Sequence, residues 1–404
     1  MPKVSVIVPT YNRAHFIGQT LDSVFAQTYP DFEVIVVDDG STDDTQAVLA
    51  KYDGITRYIY QENKGQAAAR NTGLGAARGD YILLLDSDDI LVPNKLERHI
   101  SRLDARPDFG LVYSGWQHID EDGVILGEVR PNREGNLLKD MLRHRFVLGT
   151  TGVAVVRREC FERAGPFDEY LRGGDDADMW LRIAKAGYSF GCIEQPLIQY
   201  RIHQEGLYSS VAPDDVQYRF ASLDKFFADP GLPEDIRALE AEAYAILHYG
   251  TAIRYYRANE IDLAQGHLRQ AISTHPRLSL DKEWLLEWIT GVVTDPRTTS
   301  PLSLINLILD NLPTEAATLR SLRRRARGRY HIASMFAEYQ AHRLGNIRKH
   351  ILPALIGDPI IVRNRGFISI TLRSFFDSGG EPKRAVQRTQ ALVKAPEPKR
   401  DNLQ

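Results

Sequence analysis

The 404-residue chain predicts an α/β fold, with a mostly parallel sheet and helices on both faces in the first half and an α-helical domain in the second. Two observations predict the sheet. Short apolar runs at 4–8, 32–37 and 81–85 are too brief for helices, and each empties into a polar turn followed by helical spacing. A third predicts the helical half: after about Ser210, glycine and strand-like runs thin out, and helical spacing dominates from Val216 onward.

The elements follow in order. A strand from Val4 to Pro9 runs through Thr10-Tyr-Asn-Arg13 into a helix at 16–27. A second strand, 32–37, ends in Asp38-Asp39-Gly40-Ser41-Thr42, with Ser41 or Thr42 placed to cap a helix through Lys51. A third strand, 56–60, passes Lys64-Gly65 into the alanine-rich helix 66–77. Strands alternating with helices imply right-handed crossovers. Ligands of such sheets sit beyond the strands' carboxyl ends.

The fourth strand, 81–85, delivers Asp86-Ser-Asp-Asp89 to that edge. Asp86 and Asp88 are two apart, so they share a face or splay onto different atoms of one ligand. Oxygen-only ligands suit Mg²⁺ or Mn²⁺, whose shells substrate phosphates usually complete. The competing reading is a loop whose Asp residues cap the next helix, opened by Pro93-Asn94. A second acidic cluster, Arg172-Gly-Gly-Asp-Asp-Ala-Asp178, precedes Met179, Ile183 and Ala186 at helical spacing, with Gly187 as C-cap. A helix therefore starts near Asp176. Acids there complement its dipole and need no catalytic role.

Composition bounds the alternatives. Length favours two or three domains, and 43% hydrophobic content supplies a sizeable core. A formal charge of −3 argues against nucleic-acid binding. Cys160 and Cys192 alone give neither a disulfide framework nor a cysteine metal site, and a cytoplasmic setting is expected. Met1-Pro-Lys3 leads straight into the first strand, so no signal peptide is expected. No apolar run reaches the ~18 residues of a membrane span.

Five motifs now stand in order: Val6-Ile-Val-Pro-Thr-Tyr-Asn12, Val36-Val-Asp-Asp-Gly-Ser-Thr-Asp43, Gly65 with Ala69-Arg70-Asn71, Leu85-Asp-Ser-Asp88, and Gly174-Asp-Asp-Ala-Asp-Met-Trp-Leu-Arg182. Together they make residues 1–203 resemble a family 2 glycosyltransferase with the GT-A nucleotide-sugar-binding fold. The resemblance implies that Tyr11 stacks on the base against the backbone of Pro9 and Thr10. It implies that Asp39 accepts a uracil N–H and that Arg70 holds the base and neighbouring groups. Asp88 contacts a divalent cation, and Asp86 reaches the ribose or a metal-bound water. Asp176 matches the general base of an inverting single displacement. Asp175 stands where Glu is commoner, beside the acceptor. Thr151 and Gly152 match the acceptor-side segment, and Arg201 and His203 match residues that close over the diphosphate. Asp89 is expected to cap or salt-bridge, and Asp178 to start the helix.

The expected domains are 1–210, catalytic; 211–233, a connection; 234–378, helical; and 379–404, a disordered tail rich in Lys, Arg and Pro. Residues 241–276 resemble one tetratricopeptide-type helix pair, without a clear second copy. Six arginines lie between Arg320 and Arg329, with Arg343, Arg348 and Lys349 beyond. They suggest peripheral contact with anionic lipid, residues 352–376 lying in the interface, or a solvated face over an ordinary helical core. Oligomeric state is not indicated. The function expected is an inverting, metal-dependent transferase moving a sugar from a nucleoside-diphosphate donor, UDP foremost, to a glycan or lipid-linked acceptor. The rival is a non-catalytic nucleotide-sugar binder or scaffold working through its helical half. Paired Asp residues also suit a phosphatase or nucleotidyltransferase, which would release phosphate or pyrophosphate from the donor.

Overall fold

β1 (Val4–Thr10) is buried along its whole length, as its run of β-branched residues requires of a strand covered on both faces. The computed structural model describes residues 1–143, 148–203, 213–277, 281–295, 298, 300–340 and 343–376. The tail expected at 379–404 lies outside them. β2 (Phe32–Asp38), β3 (Arg57–Tyr60) and β4 (Tyr81–Leu84) join β1 in parallel, in the order β3-β2-β1-β4. The register pairs Thr10 with Asp38. Tyr11 and Asp39 therefore leave the sheet side by side. Connections depart on opposite sides of β1, and the crevice between the β1 and β4 ends is the switch point where ligands of such sheets bind.

Beyond β4 the pairing changes hand. β8 (Ala154–Arg157) lies antiparallel to both β4 and β6 (Phe109–Ile119), while β9 (Ser189–Arg201) runs parallel to β6. β7 (Ile125–Val129) pairs with β6. Parallel order thus holds through the first four strands and gives way to a mixed sheet. The short β5 (Ile90–Leu91) pairs antiparallel with β9. That pairing seats the acidic stretch 86–89 against the strand end carrying Arg201.

Helices at Ile17–Phe25 and Gln66–Ala76 fall within the expected 16–27 and 66–77, and helix Lys95–Ala105 starts directly after Pro93-Asn94, without a side-chain cap from Asn94. Ser41 and Thr42 do not cap the second helix, which begins at Thr45. They bind Asn12 instead: Ser41 Oγ accepts from its N–H at 2.9 Å, and the Thr42 N–H donates to its Oδ1 at 2.8 Å. Asn12 has φ +50, a left-handed conformation that Asn tolerates. Asp43 takes the Thr45 N–H.

Contacts divide the chain into two units, residues 1–258 with 266–275, and residues 259–265 with 276–404. Phe226, Phe227, Leu232, Ile236, Leu239 and Ala243 belong to the same apolar core as the sheet. The boundary expected near 210 therefore does not close the first unit, because helices beyond it bury their faces on the sheet's core.

The helix pair Glu240–Arg257 and Ile261–Thr274 recurs as Arg323–Gln340 and Leu344–Gly357, with equal lengths at one constant offset. Each pair carries matched histidines. The Nδ1 atoms of His248 and His267 lie 2.9 Å apart, and those of His331 and His350 lie 2.8 Å apart. The second copy, not apparent from the sequence, keeps its His pair and its Pro but lacks most of the alanines that mark the first. In the second unit Met335, Ile347, Ala354, Phe367 and Ile370 form a core between these helices and Arg365–Phe376.

Candidate active site

Arg70 draws the two acidic motifs together. It emerges from helix Gln66–Ala76 almost fully buried, with Nη2 3.0 Å from Asp86 Oδ1 and Nη1 2.5 Å from Asp175 Oδ2. A planar guanidinium can span two carboxylates in this way, which a point-charge ammonium cannot. Both carboxylates hold its pKa above the usual arginine value, against the effect of burial. Its Nε has no hydrogen-bond partner although buried, and the same is true of Thr10 Oγ1 on β1.

Asp86 is held on every side. Gln66 Nε2, Arg70 Nη2 and Thr151 Oγ1 approach its Oδ1, and Thr150 Oγ1 donates to Oδ2 at 2.9 Å. Thr151 therefore braces an acid of the fourth strand end. Gly152 is buried, and a Cβ there would come within 2.5 Å of Ile198 Cδ1 and 3.3 Å of Leu85 Cδ1. A side chain there would have to displace Ile198 of β9.

Asp88 remains partly exposed. Its Oδ2 lies 3.0 Å from His203 Nε2 and 3.5 Å from Arg13 Nε. Arg201 braces this loop instead of reaching toward a diphosphate. It is buried, its Nε donates to the Asp88 carbonyl at 3.0 Å, and its other nitrogens are spent on Asp120, Glu121 and Gln19. Asp89 is fully buried and clamps the strand ends, accepting from the Arg201 N–H at 3.1 Å and lying 3.2 Å from Thr150 Oγ1. Burial, then Asp88 and Asp86, push its carboxyl well above the carboxylate range. Beneath it lies Lys95, also fully buried, whose Nζ donates to the Val153 carbonyl at 3.0 Å and whose pKa burial pushes well down.

On the base side, Tyr11 is 45% exposed just past β1. Asp39 is buried and accepts from Gln61 Nε2, the Lys64 N–H and the Gly65 N–H. Of a carboxylate's roughly four lone-pair sites, one is left. The Thr10 carbonyl already accepts the Asp39 N–H, and Pro9 is buried within β1.

Asp176 lies in the first turn of helix Asp175–Lys185, entered through Gly174 at φ +76, a left-handed position open to glycine. Its Oδ1 accepts the Ala177 N–H at 2.8 Å. Crowding by protein, then the adjacent Asp175, raise its pKa to about 6, although Arg70 works against the rise. Asp178 is structural, as expected, held by Arg182 and Ser222.

The site therefore gathers Asp86, Asp88, Asp175, Asp176, Arg70 and His203. Arg13, Thr150 and Lys95 escaped the sequence reading. Arg13 ends the quoted turn Thr10-Tyr-Asn-Arg13 and Thr150 directly precedes Thr151, whereas Lys95 looks like any helix-surface lysine. Among the described residues no group of three or more His, Cys, Asp or Glu side chains converges to hold a metal.

Comparison with known proteins places this geometry in a family. The profile described as "Glycosyl transferase family 2" matches residues 5–165. The putative teichuronic acid biosynthesis glycosyltransferase TuaG of Bacillus subtilis is 32% identical over 213 residues, 52% of this chain and 82% of that protein. An uncharacterized glycosyltransferase of Rickettsia prowazekii is 35% identical over 208 residues, and this chain spans 64% of its length. The structure of S. aureus TarS 1-349 in complex with UDP-GlcNAc superposes with TM-score 0.50 at 20% identity, covering 81% of this chain and 88% of that one. That likeness concerns the fold, which is of the GT-A type. The breadth of the TuaG match, together with the family profile, shows that the chain belongs to glycosyl transferase family 2.

Proposed function

We propose that the chain is an inverting, divalent-metal-dependent glycosyltransferase. It moves a sugar from a nucleoside diphosphate, UDP foremost, to a hydroxyl of a glycan or lipid-linked acceptor on the cytoplasmic side. The observation that carries this reading is the Arg70 bridge, which joins the acids of the fourth strand to the helix bearing Asp176. Asp176, with its pKa raised to about 6, is ionised at neutral pH yet basic enough to take the proton of an attacking hydroxyl. Tyr11 offers its open ring to the base, and the remaining lone pair of Asp39 suits an imide N–H such as that of uracil.

Asp88 Oδ2 and His203 Nε2, 3.0 Å apart, would hold the cation, and this oxygen and nitrogen pair suits Mn²⁺ with substrate oxygens completing the shell. A cation held by these two side chains would supply Lewis acidity for the departing diphosphate. Arg13, beside the same carboxylate, is placed to meet a phosphate oxygen. Asp86, fixed by four donors, is left to orient the ribose, and Asp175, locked to Arg70, sets the direction of Asp176. Thr151 and Gly152 contribute from beneath, by holding Asp86 and by close packing. An acceptor within a polysaccharide accords with the name of TuaG, which assigns that protein to teichuronic acid biosynthesis.

The test is product analysis with UDP-sugars and Mn²⁺, comparing wild type with Asp176→Asn. Release of intact UDP with an inverted glycoside, lost in the variant, supports the reading. Nucleotide binding without turnover in either protein would leave a non-catalytic binder, and release of inorganic phosphate would mark a phosphatase.

A further inference from the structure

Residues 352–375 hold seven of the sixteen large apolar side chains that stand exposed among the described residues, a concentration no other stretch approaches. They are not scattered. In helix Leu344–Gly357, Ile347 and Ala354 face the core, while Lys349, Leu352 and Ile356 form an outward stripe. In helix Arg365–Phe376, Phe367 and Ile370 face inward, and Ile368, Leu372 and Phe375 recur outward at i, i+4, i+7. Ile360 and Val362 stand exposed on the turn between them. The two stripes meet: Arg348 lies 4.9 Å over the Phe375 ring, and its Nε donates to the Ser374 carbonyl.

Charge identifies the occupant. Residues 343–376 carry six Lys and Arg against the single acid Asp358, in a chain whose net charge is −3. Lys349, Arg363 and Arg365 are exposed. Four of the six arginines at 320–329 are held within the second unit. Arg323 pairs with Asp310, Arg325 and Arg329 pair with Glu283, and Arg324 donates to the Ile356 carbonyl.

We propose that the outward face of helices Leu344–Gly357 and Arg365–Phe376 docks on an anionic phospholipid bilayer. The apolar stripes enter the acyl boundary, as amphipathic helices lying in an interface do, and Lys349, Arg363 and Arg365 remain among the head groups. A second copy of the chain fits less well, because a two-fold contact would set this basic face against itself. The inference is independent of the transfer chemistry.

Vesicle flotation of the full chain tests it, with phosphatidylcholine alone and with added phosphatidylglycerol. The expected result is binding only to the anionic vesicles, weakened by salt. Ile368→Glu with Leu372→Glu should abolish it. Arg363→Gln with Arg365→Gln should lower it about fivefold per charge removed, at ~1 kcal/mol each. Unchanged helicity and an unchanged thermal transition of the second unit would show that the variants fold. No binding of wild type to anionic vesicles overturns the proposal, as does equal binding by the Glu variant. A wild-type dimer in sedimentation velocity that the same variant makes monomeric would assign the face to self-association and also overturn it.

Discussion

At the scale of the residue, Asp176 and Arg70 carry the sharpest expectations. Asp176→Asn keeps the shape but cannot take a proton, so turnover should fall by about 10²- to 10⁴-fold while donor binding persists. Because the base works only when ionised and its pKa is raised to about 6, kcat/KM should drop about tenfold per unit as pH falls below that value. An acidic limb near pH 4 would remove the pKa argument. Arg70→Ala strands Asp86 and Asp175 without their shared cation in a buried setting, and should cost about 3–5 kcal/mol in a denaturant titration. Arg201 matches a position that, by the family resemblance, closes over the diphosphate; here it is buried at the end of β9, and its acceptors are protein carbonyls and Gln19.

At the scale of the element, local pattern was a good guide to existence and a weaker one to ends. The helix start after Pro93-Asn94 and the apolar face of helix Asp175–Lys185 were legible because a few contiguous residues fix them. The caps at Ser41 and Thr42 were misjudged because Asn12, some thirty residues away, competes for the same polar groups. The repeated helix hairpin makes the same point. In the second copy, Gly328 and Gly357 bring two helices into contact so close that a Cβ on Gly328 would sit 2.6 Å from Gly357 Cα. Gly328→Ala should therefore destabilise the second unit by about 1–3 kcal/mol, measurable as a shift in its thermal transition, although Ala is intrinsically the better helix former.

At the scale of the whole molecule, two units with separate cores need not unfold as one. A nucleotide at about 100 times its dissociation constant should stabilise the unit containing the site by ~2.7 kcal/mol. Differential scanning calorimetry with UDP and Mn²⁺ should move that unit's transition alone, and Asp88→Ala should abolish the metal-dependent part. Movement of both transitions would mean that the units are energetically coupled. The sequence by itself determined the strand-turn-helix order, the acids at the fourth strand end and at the helix near Asp176, and through its ordered motifs the family. Those features reside in contiguous residues whose spacing of two or 3.6 is printed in the chain. Only the tertiary structure decided that Arg70 reaches Asp175 across 105 positions and that His203 meets Asp88 across 115. It also decided that the sheet turns antiparallel beyond β4. Such pairings depend on which strands become neighbours, and no local pattern encodes that choice, because it is made by the burial of the whole sheet at once.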